Sequence, residues 1–370
     1  MNFPKDRPLR IMQIADTQES DTISPDTLRL IDAALDEAKP DLVILTGDQI
    51  KGYSTKFIRG NYEEKVAETL RMLVEPMVRR GIPFAPTFGN HDSQGKVKKQ
   101  AQMAIYGSCP GCVPTDANAA DCGSYTIPIY DTDGKTLVMN LYVIDSNGDE
   151  NLTTYTPVRA GQLDWYRAER ERLCAENGGY VPSMVFQHIP VPEYLDLLKR
   201  VKKRTPKAVR GFNEFKNQFF RTDEAKVWQE DFFGEMPAVP TENTGEFAAL
   251  KEKGEVFAMY VGHDHANSFV GKLDGIDLGY CPGAGFNVYG PGVRRAVRVL
   301  DIPQENPRNY TTFTLSFEKL VGKKVTSPLK NFLYAKAPSS VPAALLLARN
   351  VLLGGLGIAA VVVLLIFLLK

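Results

Sequence analysis

Residues 41–49 read Asp41-Leu42-Val43-Ile44-Leu45-Thr46-Gly47-Asp48-Gln49. A short unbroken apolar run closed by a glycine fits a strand buried on both faces, as in a parallel sheet. Asp48 stands just beyond it, where the chain has to turn. The same arrangement occurs on either side. Upstream, the run 9–15 ends in Ala15-Asp16-Thr17-Gln18; downstream, 83–88 ends in Gly89-Asn90-His91-Asp92. Between these runs, residues 25–38 set Leu28, Ile31, Leu35 and Ala38 on one helical face. Residues 62–80 form a second helical stretch, stopped by Gly81 and Pro83. Strand–helix–strand–helix–strand predicts the start of a parallel α/β fold.

Further along, strand-like segments at 124–130 and 136–144 flank Asp131-Thr132-Asp133-Gly134, a hairpin signal. Residues 161–177 read as a charged amphipathic helix, and 182–187, 255–261, 276–280, 295–301 and 311–317 as strands. His188 ends the strand at 182–187, and His263 and His265 follow the one at 255–261 in Gly262-His263-Asp264-His265. The sequence holds four histidines in all. Every one of them, with Asp16, Asp48 and Asn90, falls just past a predicted strand, at the edge where open α/β sheets bind ligands. Imidazoles and carboxylates without thiolates suit Zn, Mn or Fe in a reactive site rather than a structural zinc. Two metals close together need a shared carboxylate, and Asp48 is placed to be that bridge.

Composition narrows the classes. Of 370 residues, 44 are Lys or Arg and 44 are Asp or Glu, so the formal net charge is zero, and 44% of residues are hydrophobic. That is globular composition, and it argues against a nucleic-acid partner. Five cysteines in this length exclude a disulfide scaffold. Cys109, Cys112 and Cys122 resemble part of a zinc knuckle without a fourth ligand nearby, and read as reduced loop cysteines.

The ordered set Asp16, Gly47-Asp48, Gly89-Asn90-His91-Asp92, His188 and Gly262-His263-Asp264-His265 resembles the calcineurin-like metallophosphoesterase superfamily. The contexts Phe186-Gln187-His188-Ile189-Pro190 and Gly279-Tyr280-Cys281 resemble its purple-acid-phosphatase-related branch in plants and fungi and the bacterial relatives. The resemblance implies a four-layer αββα sandwich of two mixed β-sheets over residues 1–317, with a dimetal site at one edge. It implies two divalent or trivalent ions (Mn, Fe or Zn) and a phosphorylated substrate. Asp16, Asp48 and His265 would bind one ion, and Asp48, Asn90, His188 and His263 the other. His91 would be catalytic, protonating the leaving group or steadying the phosphoryl oxygens. The implied reaction is hydrolysis of a phosphate ester by an activated hydroxide.

One position departs from the family pattern. Its usual first motif is Asp-x-His, but this chain has Asp16-Thr17-Gln18. A carboxamide oxygen is a poorer ligand than imidazole. The first site is therefore weaker, completed by Gln18 or water, or empty, and the rival reading is a membrane-tethered binding or scaffold protein that keeps the fold with a degraded metal site. Purple acid phosphatases also lose that His but gain a tyrosinate three residues after the second aspartate. That position here is Lys51, so no iron–tyrosinate colour is expected. The glycine-rich run 279–292 lacks a phosphate-loop lysine and reads as turns beneath the site.

Two other stretches stand apart. Residues 199–246 begin with Lys199, Arg200, Lys202, Lys203, Arg204, Lys207 and Arg210 and continue with Phe212, Phe215, Phe219 and Phe220, a candidate lid for an anionic or amphiphilic substrate. Residues 351–369 carry no charge and are rich in Leu, Val and Ile, which predicts a C-terminal transmembrane helix after a basic linker at 318–350. The basic flank, with no export signal at the N-terminus, predicts a single-pass tail anchor with the catalytic domain cytoplasmic, and a membrane lipid as one candidate substrate.

Overall fold

Strands with apolar side chains on both faces need cover on both faces, and the chain supplies it with helices outside two stacked sheets. A computed structural model describes residues 1–58, 60–113, 121–151, 154–339 and 348–349. The first half runs β1 (Leu9–Ile14), α1 (Pro25–Ala38), β2 (Leu42–Thr46), α2 (Tyr62–Val78), β3 (Phe84–Thr87), α3 (Lys99–Gly107), β4 (Tyr125–Tyr130), β5 (Leu137–Val143), α4 (Ala160–Asn177) and β6 (Ser183–Phe186). An insertion follows: β7 (Leu198–Val201), β8 (Val209–Arg210), β9 (Phe219–Thr222) and β10 (Val227–Phe233). The chain closes with α5 (Glu246–Lys251), β11 (Val256–Val261), β12 (Asn267–Leu273), β13 (Ile276–Tyr280), β14 (Ala296–Ile302), β15 (Thr311–Ser316), α6 (Phe317–Leu320) and α7 (Pro328–Lys336).

One sheet has the order β15-β14-β1-β2-β3 and the other β10-β12-β13-β11-β6-β5-β4. β1, β2 and β3 are mutually parallel, as are β5, β6, β11 and β13, and the remaining pairings are antiparallel. Alternation along β1 sorts its side chains: Leu9 and Ile11 enter the core between the sheets, Met12 and Ile14 the core beneath α1 and α2. On the far side, Tyr142, Val185, Met259 and Val261 of the second sheet pack against Leu163, Tyr166 and Leu173 of α4 and Phe247 of α5. The layers are thus helix, sheet, sheet, helix. Where the sheets meet, the buried Gln13 donates to Thr46 Oγ1 (2.9 Å) and to the Val261 carbonyl (3.3 Å), which ties the C-terminal ends of β1, β2 and β11 together.

The transmembrane helix expected with this fold is not supported. No helix among the described residues is long and apolar enough to cross a membrane. The longest, α4, carries Asp164, Arg167, Glu169, Arg170, Arg172 and Glu176, charges a bilayer core does not accommodate. Residues 351–369 lie outside the described residues. Within 318–350, α7 rests on the body: the Gly290 N–H donates to the Tyr334 carbonyl at 3.4 Å, and Lys330 Nζ donates to Asn287 Oδ1.

Candidate metal centre

The parallel strands of both sheets deliver their C-terminal turns to one edge. Four residues in these turns adopt the left-handed conformation without being glycine: Asp16 (φ 56°), Gln18 (38°), Asp48 (54°) and His263 (72°). Such backbone is strained for side chains with a Cβ and persists only when its surroundings hold it. Here they do. The Asp16 N–H donates to the Gly47 carbonyl (3.1 Å) and the Gln18 N–H to the Asp48 carbonyl (2.8 Å). Asp92, buried, accepts from the N–H groups of Asp48 (2.7 Å), Gly89 (2.8 Å) and Ile50 (3.1 Å), clamping the second and third turns together. Two glycines allow the closest approaches. A Cβ on Gly89 would lie 2.2 Å from Asp48 Oδ1, and one on Gly285 1.9 Å from the Thr17 carbonyl oxygen. The glycine-rich run is therefore packed directly under the Asp16 turn.

All the residues expected at the site converge. Asp16, Gln18, Asp48, Asn90, His188, His263 and His265 are buried, and His91 sits at the rim with its side chain 27% exposed. One ligand atom from each of Asp48, His188 and His263 lies within 4.8 Å of the others. His188 Nδ1 is 2.9 Å from the Thr46 carbonyl oxygen. A carbonyl only accepts, so Nδ1 carries the hydrogen and Nε2 presents its lone pair. That lone pair faces Asn90 Oδ1 (3.2 Å), His263 Nδ1 (3.2 Å) and Asp48 Oδ2 (3.4 Å). His263 Nε2, also buried, has no hydrogen-bond partner. Acceptor atoms crowded face to face repel unless positive charge sits among them, so this set fits a cation.

Burial works against a charged His188, yet Asp48 and Asp16 outweigh it and raise its pKa to about 10, so with no cation in place a proton on Nε2 supplies the positive charge that these acceptors call for. Burial and the neighbouring His188 push His263 well below the usual imidazole range. Burial would also raise Asp48, but His188 and His91 hold its carboxyl well below the usual carboxylate range. Burial and then Asp48 raise Asp92 to about 7.

The other set, Asp16, Asp48 and His265, is built differently. His265 Nδ1 lies 2.9 Å from the Tyr289 carbonyl oxygen, and its ring stacks on Tyr289 with centroids 4.1 Å apart. Its Nε2 lies 3.2 Å from Asp16 Oδ1, which has no hydrogen-bond partner, and 3.1 Å from Gln18 Nε2. Gln18 Nε2 also donates to Asp48 Oδ2 at 2.9 Å. A carboxamide nitrogen is no metal ligand, so in this arrangement the set does not fit a cation as the first one does.

Three residues that matter here were not singled out from sequence. Asp149 Oδ1 accepts from Asn90 Nδ2 at 3.0 Å, and its other oxygen accepts from Gln94 Nε2. Gln94 Oε1 then takes His91 Nδ1 at 2.8 Å. Glu235 accepts from the Ala266 N–H (2.7 Å) and the Tyr289 hydroxyl (3.0 Å) behind His265. Asp149 follows no strand-end motif, and Glu235 follows β10, a strand the sequence reading leaves inside the insertion. Asp92 was quoted within a motif, but its role as a clamp needed the geometry.

Lys51 turns away from the site and donates to the Asn287 carbonyl. Cys109, Cys112 and Cys122 are free, half-buried thiols against the helix-side core of the first sheet. A cleft of about 1250 Å³ opens over the cluster, lined by Asp48, His91 and His263 and, from the insertion, Arg210, Phe212 and Lys216. The insertion thus reaches the site mouth; β7, β9 and β8 form a small antiparallel sheet of their own.

The fold and this cluster define a metallophosphoesterase-type protein. The calcineurin-like phosphoesterase family profile matches residues 9–267, and the chain belongs to that family. It is similar to probable inactive purple acid phosphatase 14 of Arabidopsis thaliana, 28% identical over 345 residues, covering 82% of this chain and 78% of that one. Probable inactive purple acid phosphatase 29 of the same plant is 26% identical over 330 residues, covering 83% and 76%. A crystal structure of a dimetal phosphatase from Danio rerio superposes with a TM-score of 0.49 at 13% identity, covering 84% of this chain and 99% of that one.

Proposed function

We propose that this protein hydrolyses a phosphate ester in a metal-dependent reaction. The observation that carries the reading is the crowding of acceptor atoms from Asp48, Asn90, His188 and His263 around one buried point under an open cleft. A cation held by these residues supplies Lewis acidity to the phosphoryl oxygens and lowers the pKa of a bound water. The chain's own groups do the rest. The Thr46 carbonyl fixes the His188 tautomer, and Asp149 fixes the Asn90 amide with its oxygen inward. His91, its Nδ1–H held by Gln94, turns Nε2 toward the cleft 3.8 Å from Asp48 Oδ2, where the doubly protonated ring would give its Nε2 proton to the leaving oxygen and be left neutral. The substrate's organic part lies along Tyr155, Phe212, Met236 and Tyr289, a wall that suits an apolar leaving group such as that of a lipid phosphate.

Gln18 supports a second reading, a protein that keeps the fold for binding without turnover, and two relatives bear the name probable inactive. Assay of the purified full chain with p-nitrophenyl phosphate, its bis ester and a lipid phosphate separates the two. Turnover lost on chelation and restored by Mn²⁺ or Zn²⁺ is expected. Metal bound stoichiometrically with no turnover of any phosphate ester would favour the binding reading.

A further inference from the structure

The two ligand sets in the cleft differ in one side chain. His265 Nδ1 donates to the Tyr289 carbonyl, which leaves Nε2 as an acceptor. Gln18 Nε2 stands 3.1 Å from that lone pair and 2.9 Å from Asp48 Oδ2. The two hydrogens of one amide nitrogen are thereby matched to two acceptors, each of them an atom that would otherwise face a cation. The amide is not free to swing away. Gln18 is 2% exposed, its backbone is held at φ 38°, and its N–H is tied to the Asp48 carbonyl at 2.8 Å. Turning the amide over would set its oxygen against the Asp48 carboxylate, acceptor against acceptor. Asp48 Oδ2 is shared with the other set, but the amide reaches none of the remaining atoms there, His188 Nε2, Asn90 Oδ1 and His263 Nδ1, which face one another.

We infer that this protein holds a single catalytic cation, at Asp48, Asn90, His188 and His263, and that the Gln18 carboxamide stands in for the other. The inference deepens the functional reading above and rests on it for the identity of the cation site. The substitution is electrostatically partial. An N–H pair satisfies the hydrogen-bonding of Asp48 and His265 but brings no net charge, and Asp16 Oδ1 stays without a partner. Asp16 is thereby a positioning residue whose other oxygen accepts from the His263 N–H at 2.9 Å.

Elemental analysis of the full chain, saturated with Mn²⁺ and freed of excess ion, tests this without reference to turnover. One ion per chain is expected, with the six-line magnetic resonance signal of an isolated Mn²⁺. That ion should be lost in His188→Ala and kept in Asp16→Asn. Gln18→His should take up a second ion and show spin coupling between the two; Gln18→Ala, a smaller change, checks that the turn still folds, by an unchanged thermal melt. Two coupled ions in the unaltered chain would overturn the inference while leaving metal-dependent hydrolysis standing. So would an ion lost in Asp16→Asn but kept in His188→Ala, or a folded Gln18→His that still binds one. No ion bound by the unaltered chain would overturn the functional reading itself.

Discussion

Asp149 and Asn90 are joined by a 3.0 Å hydrogen bond from the Asn90 amide nitrogen to Asp149 Oδ1, so the Asn90 oxygen has only one way to face, toward His188. The same carboxylate reaches His91 through Gln94. Asp149→Ala is therefore expected to release a ligand and an acid together. Loss of such outer partners typically costs about 10–100-fold in metal affinity or activity. Metal titration together with kcat checks it: affinity and turnover should both fall. Unchanged affinity with unchanged turnover would leave Asp149 a surface residue.

His91→Ala should lower turnover by about 10²–10⁴, the range for a missing general acid, while metal content stays constant. Asp48→Asn should strip the metal, because it removes the buried charge that both ligand sets share. Elemental analysis of the two variants side by side is decisive, since equal metal loss would make His91 a ligand.

Glu246, the first residue of α5, is buried, and one of its oxygens has no hydrogen-bond partner. Burial, helped by Glu193 and opposed by Gln187, raises its pKa from 4.5 to about 8. The folded protein thus holds a proton that the unfolded chain has released. This contribution to stability is fully present below pH 4.5 and is lost as pH rises toward about 8, at no more than about 1.4 kcal/mol per pH unit. Denaturant melts across that window should show Glu246→Gln losing less stability than the parent. Parallel curves would place the titration elsewhere.

Iron-loaded protein is expected to show no purple tyrosinate band in its visible spectrum. Lys51 donates to the Asn287 carbonyl rather than reaching the metal cluster. Tyr53, which does line the cleft, is raised to about 12 by burial and then by Asp48. A tyrosinate band, and its loss in Tyr53→Phe, would reverse that assignment.

Much of this site was legible in the sequence because its chemistry sits next to a strong periodic signal. The buried strands β1, β2, β3, β6 and β11 announce themselves as apolar runs, and their ends carry Asp16, Asp48, Asn90, His188 and His263. β12 was not read, although Asp274-Gly275 marks its turn into β13, with φ of 47° and 90°. Its sequence, Asn-Ser-Phe-Val-Gly-Lys-Leu, alternates too weakly to stand out from the histidine motif before it. Gln229, Glu230 and Asp231 interrupt the apolar pattern of β10, so it does not stand out from the insertion around it. It nonetheless pairs with β12, at the edge of the larger sheet. Asp149 and Glu235 were beyond reach for another reason. A single carboxylate in a loop has no period, and its meaning comes only from what the fold sets beside it.

The left-handed turns at Asp16, Gln18, Asp48 and His263 bear on any attempt to make this protein more robust. Each such backbone costs on the order of 1–3 kcal/mol, and glycine would relieve it. A library sorted for heat resistance alone would therefore drift toward glycine wherever the relief of strain outweighs the hydrogen bonds the side chain makes, each such change deleting a functional group. Durability and turnover pull in opposite directions here, and a laboratory lineage that keeps both must find its added stability in the helices instead.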